Sequence, residues 1–291
     1  MHGVGTSNAA ITIVNALPTG IGSAAGIDLA ARAVVDLHPS GSSGKWDVRM
    51  DEAARTPLVV AALTDALRRF APGSSGTAEL TVRSEIPVAR GLKSSSAVSS
   101  AIVLAVAHAT DSACTLLDAG RLSARVARAA GLSATGALDD ALAGLSSGVV
   151  VTDNTKGELI ASFALPADLE VALLVPRATH RPSSEWAGVF RAERAAGEVP
   201  VGVALRGDWA AAMNANTELV ERVMRYDYSA LRSTLLRNGA LASGVSGMGP
   251  ALATVAARSR LDGLIESIPE MLGERRRVRL SSGPRIPTES P

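Results

Sequence analysis

The amino-acid sequence predicts an α+β fold in two lobes. Strand-like patterning comes first, helical patterning clusters after it, and a second mixed set of elements closes the chain. That order argues against a repeated strand–helix–strand winding. The 291 residues suffice for two units that share a cleft. A polar turn, Asp153-Asn154-Thr155-Lys156-Gly157, interrupts the apolar pattern near the middle. It sets the expected boundary: a first lobe over residues 1–155 and a second over 156–280, with a disordered tail at 281–291.

The elements follow from local pattern. Ala10 to Leu17 is apolar and β-branched, and Pro18-Thr19-Gly20 ends it. Ile27, Leu29, Ala31, Ala33, Val35 and Leu37 alternate with more polar neighbours, the signature of a strand with one buried face. Ser40 to Gly44 is a turn, Trp46 to Met50 a short strand, and Thr77 to Ile86 another. Pro57 to Phe70 has helical spacing, with Pro57 at a first-turn position. Ser96 to Thr110 reads as a buried helix of small residues. Asp118 to Ala130 reads as an amphipathic helix that turns Leu122 and Val126 inward and Arg121, Arg125 and Arg128 outward. Gly136 to Leu145 is a third helix. Strands are expected at 148–152, 159–165 and 169–175. Helices are expected near 184–196, 208–225, 229–242 and 261–272, with a last strand near 276–280.

Composition excludes several classes. Hydrophobic residues make up 47% and charged residues 20%, a globular balance. The net charge of +1 implies no nucleic-acid partner, and the run Arg275-Arg276-Arg277 reads as a solvated face. One cysteine, Cys114, rules out a disulfide framework, and the four histidines lie far apart, so no zinc site is expected. Neither a signal peptide nor a stretch of about 20 apolar residues is visible, so the expected location is cytoplasmic, away from membranes.

The segment richest in chemistry is Pro87-Val88-Ala89-Arg90-Gly91-Leu92-Lys93-Ser94-Ser95-Ser96-Ala97, which follows a strand and opens a helix. A helix start offers unpaired N–H donors and the positive end of the dipole to an anion. Gly91 permits a tight turn, and the small residues after it let a phosphate chain approach the backbone. Lys93, one of three lysines among 29 basic residues, adds a mobile point charge. On physical grounds alone the segment fits a serine-rich cap on a core helix equally well. It is not a Walker A loop, and Gly20-Ile21-Gly22 is not a dinucleotide fingerprint, because the spacings fail. Asp139 and Asp140 form an adjacent pair that diverges by about 100° on a helix, so one of them faces any given cleft. An acidic surface turn, or Asp139 as a local cap, is the alternative.

The pattern Pro-x-x-x-Gly-Leu-x-Ser-Ser-x-Ala resembles the phosphate loop of the GHMP kinases, and Gly91-Leu92-Lys93-Ser94-Ser95-Ser96-Ala97 resembles their archaeal-type shikimate kinases. Ala10 to Ala16 with Thr19-Gly20 and Gly26-Ile27-Asp28-Leu29, Thr135 to Ala141, and Ser246-Gly247-Met248-Gly249-Pro250-Ala251 are similar to further segments of that family. The resemblance implies the two-lobed GHMP kinase fold, with a ferredoxin-like C-terminal lobe. It implies ATP phosphates on Pro87 to Ala97, a magnesium ion near Ser95, and shikimate as the small-molecule acceptor. Asp140, Asp139 and Lys93 become the expected catalytic residues, Asp140 first. Arg177, His180 and Arg181 are candidates for a substrate carboxylate, and Asn214 and Asn216 for hydroxyls. Two departures stand out. Met248 replaces an expected small polar residue, and the N-terminus lacks an upstream strand extension.

Overall fold

The computed structural model describes residues 1–179 and 186–283, which form an α+β arrangement around two sheets. The first sheet takes β1 (His2–Val14), β2 (Ile21–Gly41), β3 (Trp46–Met50), β4 (Ser75–Ser84), β5 (Val149–Asp153) and β6 (Glu158–Phe163). Its order is β3-β4-β2-β5-β6, with β1 paired antiparallel to β2. The second sheet takes β7 (Leu169–Val175), β8 (Ala242–Val245), β9 (Leu252–Ala257) and β10 (Glu274–Arg279) in the antiparallel order β10-β7-β9-β8.

Four helices cover the first sheet: α1 (Pro57–Phe70), α2 (Ser94–Ala109), α3 (Leu116–Ala129) and α4 (Leu138–Leu145). In α1 the Thr56 hydroxyl accepts from Val59 N, Pro57 fills the first turn, and Leu58, Val59, Leu63, Leu67 and Phe70 are buried. The start of α3 is a capping box between Thr115 and Asp118. α2 is central, and its small side chains let β1 lie directly on it. A Cβ at Gly3 or Gly5 would stand 2.1 Å from the carbonyl oxygen of Ala105 or Ala101, so glycine is required there. Around the second sheet lie α5 (Ala187–Ala192), α6 (Arg194–Leu205), α7 (Trp209–Met224), α8 (Ser229–Arg237) and α9 (Leu261–Glu266). Ile11 and Ile13 of β1 belong to the same buried cluster as Val171, Leu173, Met213 and Val255. One core therefore joins the two lobes, each fully buried aliphatic contributing about 1.5–3 kcal/mol.

Several expectations are corrected. The first sheet continues past residue 155, because β6 pairs with β5, so the change of sheet falls between Phe163 and Leu169. The strand expected from Ala10 starts at His2, its first glycines serving the contact with α2. The helix expected over 229–242 stops at Arg237 and residues 242–245 form a strand, while the helix expected to reach 272 stops at Glu266. α6 contains Gly197 and Pro200, which hid it from propensity. The expected tail begins too early. Ser281 is buried, its N–H donates to Gly26 O at 2.8 Å, and its hydroxyl accepts from Asn8 Nδ2 at 2.9 Å. Arg275, Arg276 and Arg277 are paired within the chain, with Glu270, Glu274, and Glu170 and Asp262 respectively. Among the described residues no helix is long and apolar enough to cross a membrane.

Candidate active site

Two short stretches of left-handed backbone bring the site together. Lys93 has φ 65° and stands before α2; Ala137 has φ 57° and stands before α4. Such angles cost a non-glycine residue roughly 1–2 kcal/mol each. Neither residue caps its helix with a side chain, so the first-turn N–H groups of α2 stay available at Ser94, Ser95 and Ser96. Ala89, with φ 55°, is a third such residue in the loop before α2.

These helix starts meet at a cavity of about 370 Å³. From the loop, Pro87, Val88, Ala89, Gly91, Leu92, Lys93, Ser94, Ser95 and Ser96 line it, and Asp139 and Asp140 face them from α4. Two expected loop residues do not line it. The Arg90 side chain turns away to donate to Arg177 O at 2.7 Å, and Ala97 is buried beneath the first turn of α2. Thr12, Asn15, Leu17 and Met248 close one side, and Ala127, Leu132, Ser133 and Thr135 another. Thr12, Asn15 and Thr135 lie within the segments that resemble the family, yet their place in the wall was not legible; Met248, whose departure from the family pattern bears on the shape of the substrate pocket, does line it. Ala127 and Leu132 carry no sequence signal of any kind.

The two aspartates differ sharply. Lys93 Nζ lies 2.9 Å from Asp140 Oδ1, with both side chains largely buried. The pair is close enough for an ion pair but off the direction of a hydrogen bond, so Asp140 Oδ1 accepts none among the described residues. Asp139 is turned into the protein. Asn154 Nδ2 donates to Asp139 Oδ1 at 2.8 Å, and a Cβ on Gly22 would stand 2.4 Å from Asp139 Oδ2. Burial, then the charge of Asp140, pushes the Asp139 carboxyl up to about 7, against the opposing pull of Lys93 and Asn154. A raised acid favours the folded state only while protonated. Stability should therefore fall as pH rises from the ordinary carboxylate range through about 7, and level off above. Urea unfolding across that range should show this slope in the native chain and lose it in Asp139→Asn. An identical slope in both would place the proton elsewhere.

The C-terminal glycine loop seals the floor. Ser246 Oγ donates to Gly91 O at 2.8 Å, Gly247 N to Thr12 Oγ1 at 2.8 Å, and Asn15 Nδ2 to Gly247 O at 3.1 Å. Among the remaining candidates, Arg177 is exposed and lines a separate cavity on the far side of Pro87 and Val88. His180 and Arg181 lie outside the described residues. Asn216 accepts from Asn15 N at 2.8 Å, and Asn214 accepts from Ser243 N at 3.0 Å; both serve the backbone.

Such a site can hold a phosphate chain at the α2 start and present a carboxylate to a hydroxyl beside it. Comparison with known proteins agrees with that chemistry. The family model for the GHMP kinases N terminal domain matches residues 57–148. A shikimate kinase of Methanothrix thermoacetophila is 36% identical over 267 residues, covering 92% of this chain and 90% of that protein. A shikimate kinase of Halobacterium salinarum is 37% identical over 220 residues, covering 74% and 75%. The crystal structure of the Methanococcus jannaschii mevalonate kinase superposes with a TM-score of 0.72 at 12% identity, covering 97% of this chain and 99% of that one, a likeness of fold.

Proposed function

The chain belongs to the GHMP kinases and, within them, to the archaeal-type shikimate kinases, and on that premise we propose that it converts ATP and shikimate into ADP and 3-phosphoshikimate. The observation that carries the reading is the single cavity in which the start of α2, Lys93 and Asp140 converge.

Each residue then has a task. The N–H groups of Ser94 to Ser96 and the dipole of α2 bind the phosphates. Lys93 places a positive charge between those phosphates and Asp140, so it steadies both. The acceptor hydroxyl lies against Asp140, whose carboxylate, held through Oδ1 by Lys93, takes the proton as the hydroxyl oxygen forms its bond to the γ-phosphorus and the bond to the β-phosphate oxygen breaks. Catalysis is mostly positioning and charge neutralisation. Asp139, held by Asn154 and turned into the protein, buttresses the start of α4.

A magnesium ion fits the donor set. The Ser95 hydroxyl at the mouth of the cavity is a hard oxygen ligand, and no cluster of three acidic, histidine or cysteine side chains competes for a metal among the described residues. That suits an ion held chiefly by phosphates and water. When bound it supplies neutralisation of phosphate charge. The acceptor side is walled by Thr12, Asn15, Leu17 and Met248.

The test is an ADP-release assay with shikimate, homoserine, mevalonate and galactose, the product identified by mass and NMR. Shikimate should turn over, and acceptors lacking its carboxylate and hydroxyl pattern should fall by a factor of about 10⁴. Turnover of an amino or deoxy analogue without turnover of shikimate would keep the kinase and replace the acceptor.

A further inference from the structure

Between α3 and the turn that follows β5 lies a second cavity of about 450 Å³. Arg121, Arg125 and Arg128 line one side, the turn Asn154 to Gly157 lines the other, and Ala124, Ala129 and Leu138 form an apolar floor. We propose that this cavity is an inhibitory site for a small organic anion that carries both a carboxylate and a phosphate.

Charge is the first argument. Arg121, Arg125 and Arg128 stand on one face of α3, one turn apart, and none has a carboxylate ion-pair partner among the described residues. Elsewhere the chain pairs its arginines readily, as Arg194, Arg222, Arg232, Arg258 and Arg277 show. Like charges a turn apart destabilise a helix, and Lys156, whose own partner Asp153 is 3.6 Å away, adds to the positive field across the cavity. A bound anion relieves that repulsion.

Donor geometry is the second. Arg121 spends only Nε, on Gly157 O at 2.8 Å. Arg125 spends no donor among the described residues. Two guanidinium forks are therefore open, about 6 Å apart along the helix axis. Each matches a carboxylate or phosphate bidentately, and one small molecule bearing both groups spans that distance.

The third argument is the link to the catalytic cavity. Arg128 donates through a single nitrogen to both Thr135 O and Asn154 O. Thr135 lines the catalytic cavity, and Asn154 Nδ2 donates to both Thr135 Oγ1 and Asp139 Oδ1. An anion between the arginines draws the Arg128 guanidinium toward itself and off these two carbonyls. The seat of Asp139 and Asp140 then loosens, and turnover falls.

The probe is 3-phosphoglycerate, with glycerol phosphate as the comparator that lacks the carboxylate. Calorimetric titration of the full chain should show one site for 3-phosphoglycerate, weakened at least about tenfold in Arg121→Ala/Arg125→Ala. Glycerol phosphate should bind more weakly than 3-phosphoglycerate. The double variant should match the native chain in turnover without the anion, and 3-phosphoglycerate should slow only the native chain. Absence of binding to the native chain overturns the proposal. So does equal affinity in the double variant, which places the anion on the phosphate loop, and so does unchanged turnover with the anion bound.

Discussion

Asp140→Asn is expected to lower kcat by about 10²–10⁴-fold while the affinity for ATP changes little. The substitution keeps the shape of the side chain and removes its capacity to take a proton. It also removes the partner of Lys93, whose ammonium lies 2.9 Å from Asp140 Oδ1, so circular dichroism and a melting curve should accompany the kinetics. Asp139→Asn should be far milder. Burial already holds its carboxyl well above the ordinary carboxylate range, and an amide oxygen can keep accepting from Asn154 Nδ2. The pair of variants decides the assignment. A dead Asp139→Asn beside an active Asp140→Asn would reverse the two roles, and two active variants would make the acidic pair structural.

Gly91→Ala should cost roughly 2–4 kcal/mol of stability and weaken ATP binding in the same protein. Gly91 has φ +84°, and a Cβ there would stand 2.0 Å from Ser246 O and 3.1 Å from Gly249 O. Both obstacles are backbone atoms, so the glycine loop must shift as a unit. The Ser246 hydroxyl would then lose its bond to Gly91 O, and the wall near Gly247 and Met248 would open. At this chain length each kcal/mol lowers Tm by about 2–4 °C. Gly44→Ala is the control: its φ is +72°, but nothing lies within 4 Å of the new carbon. It isolates the backbone cost of about 1 kcal/mol. If the two variants melt together, the seal between the glycine loop and the phosphate loop is not tight.

Much of the loop before α2 was legible because its backbone requirements are local. Gly91 needs a positive φ, the serines open a helix, and the small residues after them let α2 sit in the centre; each property belongs to a few consecutive residues. The long amphipathic helices were legible for the same reason. Pro57 opens α1 as its type suggests, whereas α3 begins two residues before the expected Asp118, where Thr115 and Asp118 form a capping box. The short second half was harder. Ala242 to Val245 is only four residues of strand, and its pairing with Leu252 to Val255 comes from a partner across a turn rather than from its own pattern. The start of β1 fell outside the strand expected from Ala10 for a related reason. Gly3 and Gly5 are there because the backbone of α2, a hundred residues away in the chain, leaves no room for a Cβ.

The candidate site divides along the same line. Adjacent aspartates on a helix point about 100° apart, so the sequence could say that one of them faces the cleft but not which one. That choice was made by residues remote in the chain. Gly22 leaves space for the Asp139 carboxyl, Asn154 binds it, and Lys93 stands where Asp140 emerges. The walls made by Thr12, Ala127, Leu132 and Met248 likewise exist only after β1, α3 and the glycine loop have packed. Local backbone chemistry is written in consecutive residues and survives without the fold. Burial, and with it the protonation of a carboxyl, depends on which distant groups exclude water, and only the packed chain sets that.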